Sequence, residues 1–78
     1  MPTVLRWKGY RFFFYSADEH EPPHVHIRKE SCEAKIWLED LSVAVNIGFS
    51  QRELRMLVRE AGVRRDELTR AWHGHFEA

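Results

Sequence analysis

The segment His20-Glu-Pro-Pro-His24-Val-His26 holds three of the chain's five histidines, and imidazole is the side chain that changes protonation nearest neutral pH. His24 and His26 stand two residues apart, so on a β-strand both rings leave the same face. Three kinds of chemistry suit such a set. The first is metal-independent acid–base catalysis, in which a neutral imidazole takes a proton and a protonated one delivers it. His20, His24, His26 and Lys35 would then cleave an RNA phosphodiester, with Arg28 or Lys35 stabilising an anionic phosphorane-like oxygen. The second is metal binding. His20-x3-His24-x-His26 offers three nitrogen ligands to zinc or another first-row transition metal, with Glu30 or Glu19 as a fourth group. Asp18 and Glu21 would then orient the imidazoles from a second layer. The third is structural: histidines flanking Pro22 and Pro23 hydrogen-bond loop backbone, finish a sheet edge or contact another chain. The spacing alone leaves all three open.

Fewer demands fall on the other reactive side chains. Cys32 is the lone cysteine, which excludes an internal disulfide and fits a cytoplasmic protein. Nothing near it in the sequence lowers its pKa, so it reads as a small strand residue. Trp7, Trp37 and Trp72 read first as packing residues, with Trp37 sharing the histidine face as a wall of any binding site. His73 and His75 suit the last turn of a helix, where imidazolium favours the dipole. Arg52, Arg55 and Arg59 line one helical stripe, a solvated surface that can also meet an acidic partner.

Hydrophobic periodicity defines the elements that must position these residues. Before Gly48 the period is near two, and after it near 3.6. Thr3–Trp7 and Tyr10–Tyr15 read as strands joined through Lys8-Gly9, a hairpin that uses the freedom of Gly9 at positive φ. Tyr10, Phe12 and Phe14 fall on one face of the second strand, and Arg11, Phe13 and Tyr15 on the other, so that strand is central or covered on both sides. Ser16–Pro23 is a polar loop whose two prolines extend the chain into the next strand. There Val25 and Ile27 point one way and His24, His26 and Arg28 the other. Cys32–Leu38 and Ser42–Ile47 complete a small antiparallel sheet of four to five strands within residues 3–47.

A capping box, Ser50 with Glu53, and a hydrophobic staple, Phe49 with Leu54, start the helical half. Leu54, Leu57, Val58 and Ala61 form its apolar stripe, and Gly62 is expected at its C′ position or at a kink. Leu68, Ala71, Trp72, His75 and Phe76 continue the pattern in a second helix or the far arm of a kinked one. Strands first and helices last predict an α+β fold with the helices on one sheet face. The histidines, Arg28, Lys35 and Trp37 are then expected on the other face.

Composition narrows the classes. Seventy-eight residues with 44% hydrophobic side chains predict one small folded domain. Twelve basic and twelve acidic residues balance, so net charge supplies no case for a phosphate-backbone binder. No apolar run approaches the roughly 18 residues of a membrane span, and no apolar leader stands at the N-terminus, so a cytoplasmic location is expected. A DNA-binding helix-turn-helix reading of the last two segments ranks fourth, because a recognition helix needs more polar, exposed side chains than Leu68–Phe76 supplies.

The strings PTVLRWKGYRFFFYS, EHEPPHVHIRK, EAKIWLE, NIGFSQREL and AWHGHF resemble the prokaryotic family called domain of unknown function 4160. The resemblance spans Pro2 to Phe76 and rests on His20, Pro22, Pro23, His24, His26, Lys35, Trp37, Gly48, Phe49 and Trp72. It implies a toxin–antitoxin-like module in which such a protein is paired with a second small protein of the domain of unknown function 2442 type. In that setting the leading expectation is a cofactor-free ribonuclease acting through His20, His24, His26 and Lys35. Arg28, Trp37, Arg52 and Arg55 would bind the RNA or the partner. A non-enzymatic interaction module, homodimeric or bound to its partner, is the first alternative, and the histidine-ligated metal the second. Where relatives carry a glycine after the histidine strand, this chain has Glu30-Ser31-Cys32.

Overall fold

The computed structural model describes residues 3–77. Five strands, β1 (Thr3–Trp7), β2 (Tyr10–Phe13), β3 (His24–Lys29), β4 (Cys32–Trp37) and β5 (Val43–Ile47), precede two helices, α1 (Gln51–Val63) and α2 (Arg65–Phe76). The sheet is an antiparallel meander in the order β1-β2-β3-β4-β5. The α+β expectation holds, helices following sheet.

Local chemistry accounts for the turns. Trp7 pairs with Tyr10, leaving Lys8 and Gly9 as a two-residue connection at φ +50° and +83°. Two positive φ values in succession match the twist of the flanking strands. Lys29 likewise pairs with Cys32 across Glu30-Ser31, and Glu30 takes φ +55° where glycine is the easier residue. Asp40 Oδ1 accepts from the Ser42 backbone and hydroxyl at 2.9 and 2.7 Å, which steers the chain from β4 into β5.

Strand alternation then divides the side chains. Phe12, Phe14, Val25, Ile27, Ala34 and Ile36 form one core with Leu54, Leu57, Ala61 and Leu68 of the helices. Phe13 leaves β2 on the opposite face yet is fully buried, so β2 is covered on both sides, as its double row of aromatics requires. At the helical junction Ser50 Oγ accepts from the Glu53 backbone N–H at 3.1 Å. The Glu53 carboxylate is drawn away from the expected reciprocal bond to accept from the Tyr10 hydroxyl. Burial and that carboxylate push the Tyr10 pKa up to about 12. Gly62 is neither cap nor kink. It lies inside α1, where a Cβ would come 3.1 Å from Leu41 Cδ1, and the break between helices falls at Arg64, φ −97°.

Gly48 joins sheet to helix at φ +92°, and a Cβ there would sit 2.8 Å from Cys32 Sγ. Gly48→Ala is therefore expected to destabilise the fold by about 1–3 kcal/mol, read from urea midpoints. Adding Cys32→Ala should recover only the steric part, because the backbone strain stays. Full recovery would mean that φ contributes nothing.

Candidate metal centre

The histidine face is roofed by a 3-10 turn, Ser16–His20, within the segment expected to be irregular loop. Its geometry follows from Asp18. The Tyr15 backbone N–H donates to Asp18 Oδ2 at 2.7 Å, while the Asp18 N–H donates back to the Tyr15 carbonyl at 3.0 Å. The Glu21 N–H closes the far end on the Asp18 carbonyl, also at 3.0 Å. Pinned at both ends, the turn aims the carboxylate of Asp18, a residue only 7% exposed, down at β3.

That carboxylate meets both rings. Asp18 Oδ1 lies 3.2 Å from His24 Nε2, and Oδ2 lies 3.2 Å from His26 Nε2. Among the described residues, Asp18, His24 and His26 are the one group of three such side chains whose ligand atoms all lie within 4.8 Å of one another. His24 is 0% exposed and His26 8%. Aromatic rings wall them in: Phe13 stacks on His26 at 5.4 Å and Tyr15 meets its edge at 4.5 Å. Trp37 and Trp72 approach His24 at 5.3 and 5.0 Å. Trp72 belongs to α2, which corrects the expectation that the histidine face lies clear of the helices. The end of α2 reaches round to His24.

The outward nitrogens decide how the inward ones behave. His24 Nδ1 lies 2.9 Å from the Pro22 carbonyl, which can only accept, so Nδ1 carries the proton. Its Nε2 is buried with no hydrogen-bond partner, although a carboxylate oxygen stands 3.2 Å away. The oxygen sits off the ring nitrogen's bonding direction. His26 Nδ1 is also unpartnered, with Glu33 Oε2 at 3.6 Å. Glu33 is itself held by the Tyr15 hydroxyl, 3.1 Å from each carboxylate oxygen.

Burial pushes the His26 pKa below its ordinary value, opposed by the Asp18 carboxylate. Burial, followed by the hydrogen bond to Glu33, raises that of Tyr15. For His26 the consequence is a pH dependence. The unfolded chain takes up this proton first as pH falls below about 6.5, so the group's stabilising share is intact above that value and is lost as pH drops toward the folded pKa. Urea midpoints of the metal-free protein should fall between pH 7 and 5, and His26→Gln should flatten the slope. A parent and variant that fall in parallel would remove His26 as the cause.

Several expected site residues stand elsewhere. His20 is not a third ligand: its side chain is 82% exposed and faces Glu19 at 3.8 Å, because the 3-10 turn spends its inward position on Asp18. Lys35 pairs with His26 across β3 and β4, but its ammonium turns to the Glu21 carboxylate and lies 4.5 Å over Trp37. That contact lowers the Glu21 pKa. Arg28 is directed to Glu33 at 3.8 Å and to the Glu30 carbonyl at 3.3 Å. Glu30 occupies the turn at the end of β3 remote from His24, and neither it nor Glu19 joins the cluster. Arg52 and Arg55 lie on α1, whose buried residues pack on the opposite sheet face. Trp37 holds its expected place beside His24.

Asp18 was expected only as a second layer, and Tyr15, Phe13, Glu33 and Trp72 not as site residues. The one legible signal for Asp18 was an acid three residues after the end of an aromatic strand, where it caps a turn.

A family model described as Domain of unknown function (DUF4160) matches residues 9–73. No curated protein and no solved structure matches the chain.

Proposed function

The chain belongs to the Domain of unknown function (DUF4160) family, and we propose that it binds one divalent first-row transition metal, zinc being the simplest, through Asp18, His24 and His26. One observation carries this reading: His24 Nε2, fully buried, points its lone pair at no donor while a carboxylate oxygen sits 3.2 Å to the side. A proton shared by the two would have to lie close to the line between them. A metal bonded to both at about 2.0–2.1 Å and near the tetrahedral angle separates them by about 3.3 Å. The outer nitrogens fit the same picture, since metal-bound histidines turn their second nitrogen to a carbonyl or carboxylate. Pro22 and Glu33 stand in those places. The lowered His26 pKa keeps that ring neutral, the form a ligand must have.

Bound there, the metal ties the 3-10 turn to β3 and supplies cross-linking to a sheet with few residues to bury. The toxin–antitoxin-like module with a domain of unknown function 2442 partner, implied by the family resemblance, is the setting we assign to this metal-stabilised fold. Metal-independent RNA cleavage is the weaker alternative. It needs a phosphodiester within hydrogen-bond reach of both rings, and both are buried under Asp18 and four aromatics.

Elemental analysis after purification without chelators tests the proposal. The expected result is about one metal per chain, absent from Asp18→Asn, an isosteric change that leaves packing intact. Full occupancy in that variant, or none in the parent after equilibration with zinc, overturns it. An RNA assay separates the alternative: cleavage unchanged by His24→Ala and His26→Ala is not theirs.

A further inference from the structure

β5 is the open edge of the sheet beside the helices, and all five of its residues are exposed. Val43, Val45 and Ile47 are 38%, 42% and 58% exposed. Natural edge strands are commonly guarded by lysine, proline or inward charge against adding another strand. The opposite edge, β1, carries Arg6, a charge that β5 lacks. Val-Ala-Val-Asn-Ile carries no charge and no proline, and Asn46 spends its amide on the Phe49 backbone, donating at 3.0 Å and accepting at 3.2 Å.

The two sides of this edge differ. Val45 and Ile47 pair with Lys35 and Glu33, so they stand on the histidine face as an apolar margin. Val43, displaced by the bulge in this pairing, lines a groove on the helix side with Leu54 and Val58, rimmed by Arg55 and Arg59. Among the described residues no carboxylate lies within ion-pair distance of Arg52, Arg55 or Arg59. The acids of the same helix are engaged, Glu53 by Tyr10 and Glu60 by Arg64. A chain of zero net charge therefore presents a row of unpaired cations beside an open strand.

We infer that β5 docks an extended segment of an acidic partner as a sixth strand, with alternate side chains apolar against Val45 and Ile47 and acidic against Arg55 and Arg59. Strand addition takes affinity from backbone hydrogen bonds and specificity from alternate side chains, and the two unlike sides of β5 ask for a period of two. A second copy fits less well. Antiparallel pairing of β5 with itself sets both α1 helices on the same sheet face, bringing two arginine-rimmed grooves together with no carboxylate between them.

The test uses a labelled peptide alternating valine and glutamate, titrated by fluorescence anisotropy against the full chain, with a valine–lysine peptide as control. Saturable binding of the acidic peptide is expected, weakened at least tenfold by Arg55→Gln with Arg59→Gln and by Val45→Asp, and weakened again by salt. The glutamine pair keeps the fold because neither arginine is ion-paired, and an unchanged melting temperature verifies it. Equal binding of the lysine peptide, no loss in the glutamine pair, or no binding at millimolar peptide overturns the inference. So does a dimer in light scattering that the acidic peptide fails to dissociate, since a second copy would then own the edge.

Discussion

Zinc added to the metal-free protein at a hundred times its dissociation constant is expected to raise the melting temperature by roughly 10–20 °C. A ligand that binds only the folded state stabilises it by about 2.7 kcal/mol at that excess, and a domain of this size gains about 4–8 °C for each kcal/mol. Only the folded chain brings Asp18, on a turn, to His24 and His26, on a strand, so the coupling to folding is close to complete. Asp18→Asn should abolish most of the shift while changing little in volume. Glu33→Gln should weaken affinity about 10–100-fold, the usual effect of a group that orients a ligand from behind, so at the same zinc concentration about 0.4–1.4 kcal/mol of the 2.7 remains. An equal shift in the parent and in Asp18→Asn would mean that the zinc sits elsewhere. No shift at millimolar zinc would remove the metal reading altogether.

Trp72→Ala is the second large effect. This ring is 4% exposed and meets Phe14 at 5.3 Å, Phe76 at 4.4 Å and His24 at 5.0 Å. Removing it costs about 3–5 kcal/mol in transfer and cavity terms. A 78-residue chain has roughly 4–12 kcal/mol of stability in all, so the substitution removes about a quarter of it or more and should lower the melting temperature of the metal-free protein by roughly 12 °C or more. Because the ring also walls His24, the damage should reach the site: zinc affinity should fall with stability. Trp72→Phe should retain most of both. Circular dichroism melts with and without zinc read the two effects together. A variant that melts like the parent would show that α2 is not needed to close the site.

The architecture was largely legible because burial imposes a period. Alternation in Val25, Ile27, Ala34 and Ile36 and the stripe Leu54, Leu57 and Ala61 each answer to one buried face, and Ser50 with its cap marks the change of period. Placing the Gly62 break was harder. A glycine near a helix end reads as a cap, whereas here it is small so that Leu41 fits against it, a contact between segments distant in sequence.

The site divides in the same way. His24 and His26 as neighbours on one strand face follow from a spacing of two, and no tertiary contact is needed to say so. Their third partner does not follow. His20 and Asp18 are both polar, both upstream and both within reach; the choice between them rests on the Tyr15 backbone binding the Asp18 carboxylate and directing it inward, which leaves His20 in solvent. Burial was equally beyond the sequence. A face carrying two histidines, a lysine and an arginine reads as exposed. The two rings are nevertheless buried, because the 3-10 turn, Phe13, Tyr15 and the returning end of α2 close over them, while Lys35 and Arg28 turn to Glu21 and Glu33. Periodicity, being local, determined the strands, the helices and the histidine pair. Which groups converge on that pair, and whether water reaches it, was decided by contacts across the sheet and from its two ends.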